Sequence, residues 1–158
     1  MDIGFFTMPI HPIDKDYKKS LSEDRQAFLL ADRIGFSEAY CGEHVTDSAE
    51  NITSSALFIA SIASCTKNIR LGTGTVNMPN SHPAAIAGQI AMLDHMLDGR
   101  LNFGISPGGL ASDAEVFGNL DKDRNEMFVE CIDMVLEIWN QKDKKFKTIT
   151  LIDIFQAQ

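Results

Sequence analysis

Four histidines stand in this 158-residue sequence, and three of them recur at the same place in a repeating pattern. His11 follows the apolar run Ile3–Met8, His44 follows Phe36–Cys41, and His82 follows Ile69–Val76. A fourth run, Leu101–Ile105, leads into Ser106-Pro107-Gly108-Gly109. An imidazole gains and loses its proton near neutral pH, so a loop histidine can serve as a general acid or base. If the four runs are parallel strands, their C-terminal ends form one rim, the edge at which α/β folds bind ligands. The joint placement predicts a shared site, although any one loop histidine alone is more often merely solvated. His95 is set apart: it falls inside a helical pattern beside Asp94 and reads as a surface or packing residue.

Other chemistries find less support. Glu43 and His44 are adjacent, so on a continuing strand they face opposite sides. No His-x-His pair or HExxH helix is present, which leaves a metal-dependent hydrolase as a weak alternative. The run Gly104-Ile105-Ser106-Pro107-Gly108-Gly109 is not the G-x-G-x-x-G dinucleotide fingerprint. Strand parity puts Leu101, Phe103 and Ile105 against helices and turns Asn102, Gly104 and Ser106 inward. Gly72 and Gly74 share a face of the third strand. They either leave room for a flat ligand or relieve crowding in a narrow barrel, and the sequence favours neither reading.

The elements that must position these groups alternate strand and helix. Ser20-x-x-Glu23 has capping-box spacing ahead of Leu21, Ala27, Phe28, Ala31 and Ile34, with Gly35 placed to end the helix. Ala56–Ala63 is a nearly all-apolar helix, and Pro83 opens a third over Ile86, Ile90, Leu93 and Leu97. Asp123-x-x-Glu126 opens a fourth that ends near Trp139. Such alternation predicts an α/β fold of parallel strands with right-handed crossovers. About four βα units over residues 1–141 make a partial (β/α)8 TIM-type barrel, since a whole one needs roughly 250 residues. Residues 142–158, including Phe146–Phe155, are expected to form a C-terminal arm or extra strand. An open half-barrel exposes edges and an apolar face, so a homodimer is expected.

Composition narrows the partners. Fourteen basic against 22 acidic residues give a net charge of −8, and no basic stripe suits nucleic acid or an anionic membrane. The Lys142, Lys144, Lys145 and Lys147 cluster reads as a solvated turn. Cys41, Cys65 and Cys131 are odd in number and lack metal spacing, as expected of reduced thiols. With no signal-like leader or membrane-length apolar stretch, the expected home is the cytoplasm.

Several separated segments carry a more specific likeness. They are Phe36-Ser-Glu-Ala-Tyr-Cys-Gly-Glu-His44, Ile69-Arg-Leu-Gly-Thr-Gly-Thr-Val76, Ser81-His-Pro83, and Met92-Leu-Asp-His-Met-Leu-Asp-Gly-Arg-Leu-Asn-Phe-Gly-Ile105. In this order, up to about Trp139, the sequence resembles the bacterial-luciferase-like flavin monooxygenases. The resemblance implies a barrel that binds reduced FMN, or a deazaflavin in some relatives. It also implies oxidation of a small organic substrate by O₂ through a flavin peroxide. By the same resemblance His44 is the catalytic histidine, and Gly74-Thr75 is a non-proline cis peptide beside the isoalloxazine. His82 and Ser106 join Gly74 and Thr75 as expected flavin contacts, with capping an equal role for His82. Asp94, Gly99 and Arg100 are expected to serve structure. Ser106 and Pro107 depart from the reactive cysteine and phosphate-binding arginine of the luciferase catalytic subunit. A flavin reductase, or another supply of reduced flavin, is the implied partner. The expected activity is that of a truncated monooxygenase, poor alone; the alternative is a non-catalytic dimer that binds flavin or an apolar ligand.

Overall fold

A computed structural model describes residues 2–140. The expected arm over 142–158 and its lysine cluster lie outside the described residues. Strands β1 (Gly4–Thr7), β2 (Glu38–Cys41), β3 (Arg70–Thr73) and β5 (Leu101–Asn102) form one parallel sheet in that order. Helices α1 (Tyr17–Ile34), α2 (Ser55–Ile62) and α3 (Pro83–Met96) make the crossovers. The expected βα alternation is therefore what the chain adopts.

Pairing register separates the two faces of the sheet. Ala39, Leu71 and Leu101 form one row with Phe5 and turn toward the helices. Phe5 packs on Phe28 with ring centroids 5.0 Å apart, and Phe28 on Phe58 at 5.1 Å. Ile59, Ile62, Ile69 and Leu97 complete a core that excludes water, the main source of stability in such a layer. The opposite row is Phe6, Tyr40, Gly72 and Asn102. A Cβ on Gly72 would lie 2.2 Å from the Tyr40 ring, and one on Gly74 would lie 2.7 Å from the Phe6 ring. Both glycines make room for neighbouring aromatics.

The third and fourth strands each read as one run in the sequence, but each is broken. A second parallel ladder, β4 (Val76–Asn77) against β6 (Ile105–Ser106), carries their distal halves. At the break the Thr73 hydroxyl donates to the Gly104 carbonyl at 2.7 Å and accepts from the Gly104 N–H at 2.9 Å. A side chain thus replaces the backbone ladder for one step. The approach is too close for any other residue at 104, since a Cβ would stand 2.1 Å from the Thr73 carbonyl oxygen.

Helix ends are set locally. Gly35 ends α1 in the left-handed region at φ 90°. Asp16 rather than Ser20 caps its start, accepting from the Lys19 N–H. Ser20 lies a turn inside the helix, is 2% exposed, and bonds the Asp16 carbonyl; the capping-box expectation is corrected. Arg100 donates to the carbonyls of Ala63, Thr66 and Ile69, tying the end of α2 to the start of β3. Two further helices follow β6, a short α4 (Ala111–Val116) that the sequence reading did not anticipate and α5 (Arg124–Asn140). Among the described residues no helix is long and apolar enough to cross a membrane.

Candidate active site at the strand ends

The rim begins where β3 breaks. The Gly74–Thr75 peptide bond is cis. Beyond it the Thr75 hydroxyl donates to Ser106 Oγ at 2.7 Å, and Ser106 Oγ donates to Asn77 Oδ1 at 2.9 Å. Ser106 Oγ also accepts from the Gly108 N–H at 3.2 Å, which folds the glycine loop back over the strand. Three expected site residues, Gly74, Thr75 and Ser106, therefore lie together on paired strand ends.

Glu43 joins this row to the next group. Its Oε1 accepts from the Asn77 N–H at 3.3 Å, and its Oε2 accepts from the N–H and hydroxyl of Ser55, at 2.8 and 2.7 Å. The carboxylate thus bridges β4 and the N-terminus of α2, where the helix dipole favours negative charge. Its neighbour His44 takes different partners, as strand parity suggested. Nδ1 of His44 lies 3.1 Å from Asp113 Oδ2, and Nε2 lies 3.6 Å from Glu50 Oε2. The imidazole is 18% exposed, Asp113 3% and Glu50 16%.

Asp113 is held from several sides. It accepts from the Thr46 N–H at 2.9 Å, the Thr46 hydroxyl at 2.6 Å and the Val45 N–H at 3.2 Å. Burial works against its charge, but the bonds from Thr46, His44 and Val45 prevail and hold its carboxyl below the usual range. An ionised carboxylate only accepts, so His44 Nδ1 carries a hydrogen and donates it to Asp113. Glu50 is driven the other way. Burial raises its carboxyl, Asp47 and Asp113 raise it further, and His44 only partly offsets them. Glu43, His44, Asn77, Gln89, Asp113 and Phe117 line a cavity of about 130 Å³ at this point. Among the described residues no group of three or more His, Cys, Asp or Glu side chains could hold a metal ion.

The other strand-end histidines do not join this cluster, which corrects the expected convergence. His11 Nε2 bonds Asp24 of α1 at 2.9 Å and its Nδ1 takes the Lys15 ammonium at 3.0 Å. His82 Nδ1 accepts from the Ala84 N–H at 3.1 Å and so caps α3. His82 lines a neighbouring apolar cavity with Phe117, Met127 and Cys131. Asp113, Glu50 and Asn77 escaped the sequence reading, which weighed Glu43 only as a metal ligand. The His44–Asp113 contact spans 69 residues, and a six-residue helix such as α4 shows no periodicity to announce it.

The family model for luciferase-like monooxygenases matches residues 1–153. The chain belongs to the luciferase-like monooxygenase family. Over 135 residues this luciferase-like chain is 36% identical to limonene 1,2-monooxygenase of Rhodococcus erythropolis, covering 85% of its own length and 35% of the relative's. It is 37% identical over 103 residues to the oxygenase component of a flavin-dependent trigonelline monooxygenase from Acinetobacter baylyi, covering 65% of the chain and 29% of that protein. Its fold superposes on the oxygenating constituent of 3,6-diketocamphane monooxygenase from Pseudomonas putida, solved in complex with FMN. That match has a TM-score of 0.87 at 26% identity, over 93% of the chain and 42% of the solved one. The chain thus spans less than half the length of these relatives.

Proposed function

We propose that this chain forms a proton-handling part of a flavin-dependent monooxygenase that oxidises a small organic substrate with O₂. The observation that carries this reading is the connected rim. A hydroxyl and amide row, Thr75, Ser106 and Asn77, is joined through Glu43 to the segment bearing a half-buried imidazole. The family relatives named above support an oxygenase rather than another use of such a rim.

The residues present fit a flavin in kind. Phe6 packs its ring edge over Gly74 yet remains 58% exposed, which offers an apolar aromatic surface to a flat ring system. Beside it Thr75, Ser106 and Asn77 offer donors and acceptors suited to a heterocycle's polar edge. Reduced FMN, when bound, would supply the electrons that activate O₂. The protein's part is to orient and to move protons. Asp113 keeps the hydrogen on His44 Nδ1, which leaves Nε2 to give or take a proton beside the ligand. Glu43 fixes β4 against α2, so that the hydroxyl row and the imidazole keep their relative place.

FMN is favoured over a deazaflavin by the FMN complex of the diketocamphane enzyme. A separate reductase that supplies reduced flavin is favoured by the relative described as an oxygenase component. The free thiols of Cys41, Cys65 and Cys131 support a reducing, cytoplasmic compartment. The exposed Ile3 just before β1, the edge strand of the sheet, supports pairing with a second copy. The test is O₂ consumption with enzymatically reduced FMN across a panel of small terpenoid and cyclic ketone substrates. Substrate-dependent uptake that falls about 10²-fold in His44→Ala is expected; equal uptake in the variant would remove His44 from the reaction.

A further inference from the structure

Glu50 stands outside the residues that the family resemblance singled out, yet its carboxylate faces Nε2 of His44. We infer that Glu50 is a positioning residue for proton transfer, its carboxyl set beside His44 Nε2 to bias the charge and orientation of the imidazole while Asp113 anchors Nδ1. This rests on the reading of His44 as the proton-transfer group.

The geometry places the imidazole between two carboxylates, Asp113 Oδ2 at 3.1 Å from Nδ1 and Glu50 Oε2 at 3.6 Å from Nε2. All three side chains are largely withdrawn from solvent. The backbone at Glu50 is held in place. It forms an antiparallel bridge with Ile10, the adjacent Ala49 carbonyl accepts from the His11 N–H at 2.9 Å, and the His44 N–H donates to the Ile52 carbonyl at 3.1 Å. The loop bearing Glu50 is therefore sewn both to the segment after β1 and to the backbone of His44 itself. The charged groups that act on Glu50 are His44 and Asp47 from its own loop and Asp113 from α4.

The two carboxylates have unlike environments, and unlike environments divide acid from base. Asp113, with four donors on its oxygens, is held below the usual carboxyl range; Glu50, half-buried beside Asp47 and Asp113, is pushed above it. When Nε2 takes up a proton during turnover, the imidazolium lies between the Asp113 carboxylate on Nδ1 and the Glu50 carboxyl 3.6 Å from Nε2, and its charge favours the ionised form of Glu50.

Carbon-13 detected titration of the Glu50 carboxyl, on the chain without flavin, tests this. The wild-type carboxyl should titrate above the ordinary glutamate range. His44→Gln should move it further up, because the imidazole's attraction is lost, and Asp113→Asn should move it down, because a like charge is lost. Native amide dispersion in each variant shows that the fold persists. A Glu50 titration that ignores both substitutions would overturn the proposal. During turnover, Glu50→Gln should lower kcat about 10²-fold with KM little changed and remove one limb of the pH profile, while Glu50→Asp keeps that limb. Unaltered kcat and pH profile in Glu50→Gln would also overturn it. If no turnover is found, the reading of the chain as an oxygenase fails, and the titration still decides whether Glu50 is coupled to His44 and Asp113.

Discussion

Replacing Asp113 with alanine removes one side chain and strands four donors: the Val45 and Thr46 N–H groups, the Thr46 hydroxyl and His44 Nδ1. Hydrogen bonds to a charged acceptor each contribute about 1.5–3 kcal/mol net, but their sum overstates the loss. Val45 is exposed, so water can replace part of what is removed, and the variant no longer desolvates a carboxylate. A loss of about 3 kcal/mol at pH 7 is the balance we expect, a large share of a typical domain's stability. The pH dependence carries a sign. Asp113 is held below the usual range in the folded protein, so its contribution is present above the ordinary carboxylate pKa and is lost as pH falls through the folded value. Urea denaturation of wild type and Asp113→Ala at a series of pH values measures both quantities. The gap should be constant from neutral pH down to about pH 4 and shrink below it. A difference under about 0.5 kcal/mol at pH 7, or one that grows on acidification, would refute the assignment of Asp113 as the anchor of this loop.

Two further outcomes follow from packing. Gly104→Ala places a Cβ against the Thr73 carbonyl at the point where the strands break, so the melting temperature should fall by roughly 10 °C in calorimetry; an unchanged melting temperature would mean that the break is not rigid. Cys41 and Cys131 are buried and Cys65 is exposed, and burial raises the Cys41 and Cys131 thiols, which disfavours the reactive thiolate. A disulfide-exchange reagent should therefore label Cys65 alone in the native protein, as read by mass spectrometry.

The parts of this structure that could be read from the sequence are those with local causes. Gly35 ends α1 because an αL residue closes the helix, Pro83 opens α3 because its missing N–H has no partner there anyway, and Asp123 caps α5 through the N–H groups of Asn125 and Glu126. Ser20 misled because a capping pattern states only what a side chain can bond; Asp16, one turn earlier, supplied the cap instead. The breaks in the third and fourth strands were invisible because they depend on Thr73 meeting Gly104, 31 residues away. The strand-end rule placed Gly74, Thr75, Ser106 and His44 along one edge, but it could not say which way each histidine turns. His11 turned to Asp24 and His82 to its own helix, because a nearby acid or free N–H captures an imidazole sooner than a distant cluster does.

The central claim is that the strand ends around Gly74, Thr75 and Ser106 form a bed for a flavin. Titration of FMN into the protein, followed by flavin fluorescence, tests it with Thr75→Val and Ser106→Ala as comparisons. We predict saturable quenching by the wild-type chain and binding at least tenfold weaker in both variants, since one substitution removes the donor and the other the acceptor of the 2.7 Å bond that sets the row. No saturable quenching, or the same curve for all three proteins, would contradict it.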